Sequence, residues 1–269
     1  MAKKRQVRWR IRSIRGGKWF RERGKKGLSL LPHVFTLLNL AFGVFSMVMA
    51  AQGNFRLAAL LVGGSLLADG IDGRVARLVK ADGEFGRELD SLADVVAFGT
   101  APAFLLYQAD LWRLGAWGLA VASLFPICGA LRLARFNIIK TSGYFIGLPI
   151  TAAGTLVASL VYYTLSLTGD LRTLGVWMYP TILLLVAYLM VSTIPYPDFK
   201  KFRGARFRWI EWAVPLVVVI YSLVRDLRSV IFLPLATYAV LGPWLYLLRK
   251  WAEKIGPHPH AAGDGRHGG

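Results

Sequence analysis

The chain has 269 residues and a single cysteine, Cys128, so neither an intrachain disulfide nor a cysteine-built metal site is possible. Histidine is nearly as scarce. His258, His260 and His267 fall in a Gly/Pro-rich tail, and His33 lies where the first apolar run begins, an interfacial place rather than a catalytic one. Acids are few, 15 against 33 Lys and Arg, and all charged residues together make up only 18%. With 55% hydrophobic residues and a mean hydropathy of +0.47, an ordinary soluble domain is excluded. A cleaved signal peptide is not expected, because the basic start is too long and no small-residue cleavage site follows the first apolar run.

What is present falls in blocks of membrane-spanning length. Hydropathy predicts eight spans, near residues 30–52, 56–79, 94–112, 114–134, 147–168, 174–194, 210–225 and 229–248. The formal net charge of +18 is concentrated at one side of them. Residues 1–27 carry twelve Lys/Arg and one acid, as a cytoplasmic anchor that attracts anionic membrane lipids should. Nucleic acid is not the expected partner, since no base-reading fold accompanies the charge. With the amino terminus inside, only Arg56, Arg113, Arg172, Arg225 and Arg228 of the 33 basic residues lie outside. The expected organisation is a basic segment 1–27, one transmembrane catalytic domain 28–250 and a disordered tail 251–269. Both termini and the site face the cytoplasm, in the plasma membrane. Trp112, Trp117, Trp209 and Trp251 fall near span ends, as interfacial belt residues do.

Against this background the acids of residues 67–96, LADGIDGRVARLVKADGEFGRELDSLADVV, stand out. A carboxylate at membrane depth costs a few kcal/mol and persists where it has a role and a partner. Asp69 and Asp72 lie three apart, Asp90 and Asp94 four apart, so each pair projects from one helical face. Asp90 and Asp94 are expected at the cytoplasmic start of the third span, level with the first pair, and Asp82 in the connecting turn is solvated. Four converging carboxylates repel one another without cations, and oxygen-only ligands favour Mg²⁺, Mn²⁺ or Ca²⁺, Mg²⁺ being the usual partner of substrate phosphates. Gly73, Ala76 and Gly86 keep the adjoining surface narrow, and Arg77 supplies a cation suited to phosphate.

The series Asp69-Gly-Ile-Asp72-Gly73-Arg-Val-Ala76-Arg77, eight residues, Gly86, three residues, Asp90, three residues, Asp94 resembles the signature of the CDP-alcohol phosphatidyltransferase family, without a gap. Members displace CMP from a CDP-linked lipid with an alcohol hydroxyl. The resemblance implies an all-α integral membrane fold, with a six-helix core inside the bundle of eight spans, a homodimer and two divalent ions, Mg²⁺ or Mn²⁺. It implies that Asp69, Asp72, Asp90 and Asp94 bind metal and that Asp94 is also the base. Gly73, Ala76, Arg77 and Gly86 would contact the CMP part. Thr36 and Asn39, one turn apart on the first span, are placed at the nucleotide too, although small polar residues also serve helix packing.

The acceptor alcohol must be read elsewhere. Leu131-Arg-Leu-Ala-Arg-Phe-Asn137, Tyr144-Phe-Ile-Gly-Leu-Pro149 with Ala152-Ala-Gly154, and Val191-Ser-Thr-Ile-Pro-Tyr-Pro-Asp-Phe-Lys200 resemble the phosphatidylserine synthase branch. With Leu31-Pro-His-Val-Phe-Thr36-Leu-Leu-Asn39 the likeness runs from about residue 28 to 202. Thr151 departs from it, standing where proline is expected. The branch implies CDP-diacylglycerol and L-serine as substrates. Arg132 and Arg135 would hold the serine carboxylate, with a hydrogen bond from Asn137. Arg74, Arg135 and Lys140 keep glycerol phosphate or inositol phosphate open as acceptors. Two other classes compete: a divalent-cation transporter, whose acids would be spread over several helices at mid-membrane, and a scaffold held by buried ion pairs.

Overall fold

A computed structural model describes residues 31–79, 84–138, 145–196, 217–224 and 229–255. Within them the chain is a bundle of helices: α1 (Leu31–Ala51), α2 (Phe55–Val79), α3 (Glu84–Ala109), α4 (Ala116–Ile138), α5 (Ile150–Thr168), α6 (Met178–Val191), a short α7 over 217–224, and α8 (Phe232–Ile255). α3 is continuous but contains a π-helical stretch, Val95–Thr100. The long helices α1, α3, α4 and α5 have the length and hydropathy to cross a bilayer, and α6 and the Phe232–Leu248 part of α8 are shorter apolar helices. α2 spans 25 residues, its apolar run broken by Arg56, Asp69 and Asp72. This is the architecture of an all-α integral membrane protein.

Most predicted spans coincide with these helices to within a few residues. The third is a correction: expected over 94–112, its helix begins at Glu84, so Asp90 and Asp94 lie inside α3 rather than at its start. Hydropathy missed that segment because it is amphipathic in the reverse sense, with Phe85 and Leu92 exposed while Asp94 is buried. α8 runs to Ile255, five residues past the expected domain boundary. Of the seventh span only 217–224 is described. Expectations for the 1–27 segment, Asp82, Lys140, Trp209 and residues 256–269 fall outside the described residues.

α1 lies along α2, with hydrogen bonds that hold two apolar helices together where lipid offers no competing water. Ser46 Oγ donates to the Ala58 carbonyl at 2.8 Å, and Ser65 Oγ donates to the Asn39 carbonyl at 3.1 Å. α5 is the innermost helix, burying Ala153, Gly154, Val157 and Val161 among others. Around it pack Phe98, Leu105 and Leu106 of α3, Phe125 of α4 and Leu183 of α6, all with no exposed surface.

The loop before α5 is stitched to the end of α6. Phe145–Ile146 pairs antiparallel with Pro195–Tyr196, opposing Phe145 to Tyr196. Gly147 follows with φ +77°, and a Cβ there would come 2.4 Å from the Met190 carbonyl oxygen, so both backbone angle and space demand glycine. The Gly147 and Leu148 N–H groups donate to the Ile194 and Leu189 carbonyls. Arg135 adds two bonds at the same point, donating to the carbonyls of Val191 and Ser192 at 3.0 and 3.2 Å.

At the opposite end of the bundle Asp110 closes α3. Its carboxylate is fully buried and ion-paired with Arg113, three residues on. Burial pushes that carboxyl above the ordinary aspartate range, against the opposing pull of Arg113.

Candidate metal and nucleotide site

The C-terminal part of α2 and the first half of α3 are joined by residues 80–83 and run in opposite directions. Asp69 lies ten residues from the end of α2, and Asp94 ten residues from the start of α3. At 1.5 Å per residue both stand about 15 Å from their helix ends, which puts them at one level. Carboxylate oxygens of Asp69, Asp90 and Asp94 lie within 4.8 Å of one another. Three anionic groups so close in a largely buried setting are unfavourable unless a cation or protons offset them. Arg113 pairs with Asp110 at the other end of α3, away from this cluster.

Asp72 behaves differently. The expectation of four carboxylates meeting is met by three, because Asp72 is buried and accepts a hydrogen bond from the Thr36 hydroxyl of α1. One turn further along α1, Asn39 donates from Nδ2 to Asp94 Oδ1 at 3.2 Å. Thr36 and Asn39, expected at the nucleotide, are thus buried partners of the carboxylates. The Asn39 Oδ1 atom is itself buried without a hydrogen-bond partner.

The glycines divide in a similar way. A Cβ placed on Gly73 would meet nothing within 4 Å, which leaves open space beside Asp72. A Cβ on Gly86 would come 2.9 Å from Cε1 of His33. The His33 ring also stands edge-on to Phe85, centroids 5.8 Å apart. Sequence reasoning placed His33 at the interface and missed this contact; its only signal was a polar side chain one turn before Thr36. Ala76 and Arg77 lie on α2, with side chains outside the described set.

The three acceptor candidates sit on the last turns of α4. Arg132 is buried, its guanidinium feels the Asp94 charge, and its Nε has no hydrogen-bond partner. Arg135 holds the end of α6 as described above. Asn137 donates to Ser91 Oγ of α3 at 3.1 Å, which ties α4 to the helix of Asp90 and Asp94. Of the three, Arg132 is the buried one.

A model of the family described as CDP-alcohol phosphatidyltransferase matches residues 29–194. Among curated proteins, the chain is 40% identical over 234 residues to the CDP-diacylglycerol–serine O-phosphatidyltransferase of Helicobacter pylori strain J99, covering 83% of this chain and 94% of that one. It is 33% identical over 186 residues to the Bacillus subtilis protein of the same name, covering 69% of this chain and 99% of the relative. The like-named protein of Methanocaldococcus jannaschii is 39% identical over 167 residues, covering 62% and 73%.

Proposed function

The chain belongs to the CDP-alcohol phosphatidyltransferase family, and from that premise we propose that it makes phosphatidylserine and CMP from CDP-diacylglycerol and L-serine. The observation that carries the chemistry is the meeting of Asp69, Asp90 and Asp94 oxygens within 4.8 Å. The names of the relatives carry the choice of serine.

The donor set fits a hard divalent cation: oxygen ligands only, and mutually close. Asp69, Asp90 and Asp94 would hold it, and Asp72 lies beside them for a second ion. Two such ions, Mg²⁺ or Mn²⁺, would supply positive charge against the diphosphate and the departing CMP when bound.

The remaining steps belong to the side chains. The open space in front of Gly73 admits the CMP part next to the carboxylates. Arg132 receives the serine carboxylate through a planar fork that lysine cannot reproduce. Asp94, oriented by Asn39, takes the proton from the serine hydroxyl as its oxygen bonds to the lipid-bearing phosphorus. The bond from that phosphorus to the bridging oxygen breaks, and its electrons leave with CMP. Thr36 fixes Asp72, so α1 orients the acids without donating one of its own. Gathering of the acids at a single level shared by α2 and α3 speaks against a cation pathway, which would string them along the membrane normal.

Purified protein in detergent, supplied with CDP-diacylglycerol and Mg²⁺ or Mn²⁺, should release CMP with serine and not with glycerol phosphate or inositol phosphate. Release with a phosphorylated alcohol alone would move the acceptor assignment. No release with any alcohol would sink the transferase reading. The Lys/Arg-rich amino-terminal segment supports a site facing the cytoplasm at the plasma membrane, and the family supports a homodimer.

A further inference from the structure

We propose that the π-helical stretch Val95–Thr100 is a positioning device for Asp94, held in place by Gly43 and Gly154. The stretch begins at the residue after Asp94. At its end the Ala101 N–H bonds back to the Val96 carbonyl, five residues earlier rather than four. The Thr100 hydroxyl donates to the Val95 carbonyl at 3.2 Å, serving an oxygen that the widened turn displaces from ordinary pairing.

A π turn changes which way the two halves of a helix face. In an uninterrupted α-helix, residues twelve positions apart lie about 120° from each other around the axis. Asp94 and Leu106 are such a pair, 7% and 0% exposed. A π turn takes up about one extra residue, which cuts the offset to about 20°. Without it, α3 could turn Leu106 into the core or Asp94 into the carboxylate cluster, with the other swung well away.

The distortion is gripped from two sides by glycine. A Cβ on Gly154 of α5 would lie 2.1 Å from the Phe98 carbonyl oxygen and 2.6 Å from its Cα. A Cβ on Gly43 of α1 would lie 2.7 Å from the Ala97 Cα. These obstacles are backbone, so no rotamer change relieves them; α3 would have to shift or lose its π turn. Pro102 contributes on the helix itself, because it has no N–H to pair with the Phe98 carbonyl in the normal α pattern. Nothing in this device touches substrate. Gly43, Gly154 and Thr100 act through Asp94.

The inference rests on the proposed transfer reaction, so its test carries a readout that does not. Metal-free Gly154→Ala and Gly43→Ala proteins are titrated with Mn²⁺ by calorimetry, alongside CMP-release kinetics and a thermal melt. Gly63→Ala serves as control, since a Cβ there meets nothing within 4 Å. The expected result is a folded protein with at least tenfold weaker Mn²⁺ binding, at least tenfold lower kcat and a KM for CDP-diacylglycerol within about twofold of wild type. Ala97→Gly should not restore Gly43→Ala, because the Ala97 Cα that the new Cβ would meet at 2.7 Å stays in place. Unchanged Mn²⁺ affinity in both glycine variants overturns the inference, as does loss of binding that only tracks loss of folded protein. If Gly154→Ala does not fold, Gly43→Ala decides by the same criteria. A wild type that binds Mn²⁺ but releases no CMP defeats the transfer reaction and leaves the positioning result standing.

Discussion

Asn39 of α1 reaches across to Asp94 of α3, Nδ2 to Oδ1 at 3.2 Å, although the two residues are 55 positions apart in the chain. A hydrogen bond to an ionised, buried carboxylate contributes roughly 1.5–3 kcal/mol. Asn39→Ala should therefore lower kcat about tenfold or more, with the KM for CDP-diacylglycerol little changed. A rise in that KM at constant kcat would instead put Asn39 at the nucleotide.

Asp94→Asn keeps the side-chain shape and removes the basic oxygen. Turnover should fall by about 10³ or more, the scale of general-base catalysis combined with damage to the ion site. CDP-diacylglycerol should still bind, measurable by calorimetry in detergent. Near-normal turnover would take the base role away from Asp94.

Chelation with EDTA should abolish CMP release, and added Mn²⁺ or Mg²⁺ should restore it. Asp69→Asn should need a much higher ion concentration for half activation. Asp110→Asn should not, because Asp110 closes the far end of α3. An Asp69 variant with unaltered ion dependence would contradict the assignment of the cluster.

Arg132 and Arg135 look interchangeable in sequence and are separated by their surroundings. Arg132→Lys should raise the serine KM at least tenfold, because an ammonium cannot reproduce the fork. Arg135→Ala should leave that KM unchanged and cost stability instead, about 2 kcal/mol for two charge-assisted bonds to the end of α6. Serine titrations and thermal melts on the two variants separate these outcomes.

Gly86→Ala forces the new methyl against the His33 ring. The KM for CDP-diacylglycerol should rise, and His33→Ala in the same chain should bring it back. No recovery would mean that Gly86 is needed by the nucleotide itself.

The acidic signature and most of the bundle were legible in the residues, since both depend on local spacing. Apolar blocks announce spans wherever helix and hydrophobic run coincide, as in α1 and α5. They fail at Glu84–Asp94, where the helix buries Asp94 and exposes Phe85 and Leu92. The partner of Asp72 could not be read, because Thr36 meets it from a helix 36 residues earlier. The π stretch was equally hidden. Its sequence, VVAFGT, forms that turn in answer to glycines on α1 and α5 that no local window contains. The Gly-Leu-Pro149 segment was recognised by resemblance, and its cause is visible only against the carbonyls at the end of α6.

Among the described residues the candidate reacting groups gather in one cluster, away from the end of the bundle that Asp110 closes. Donor lipid, amino acid and nucleotide product must therefore share one aqueous compartment and one monolayer. Each turnover would exchange one lipid for another within that monolayer, so any finished lipid needed in the opposite half of the membrane calls for separate machinery that moves it across.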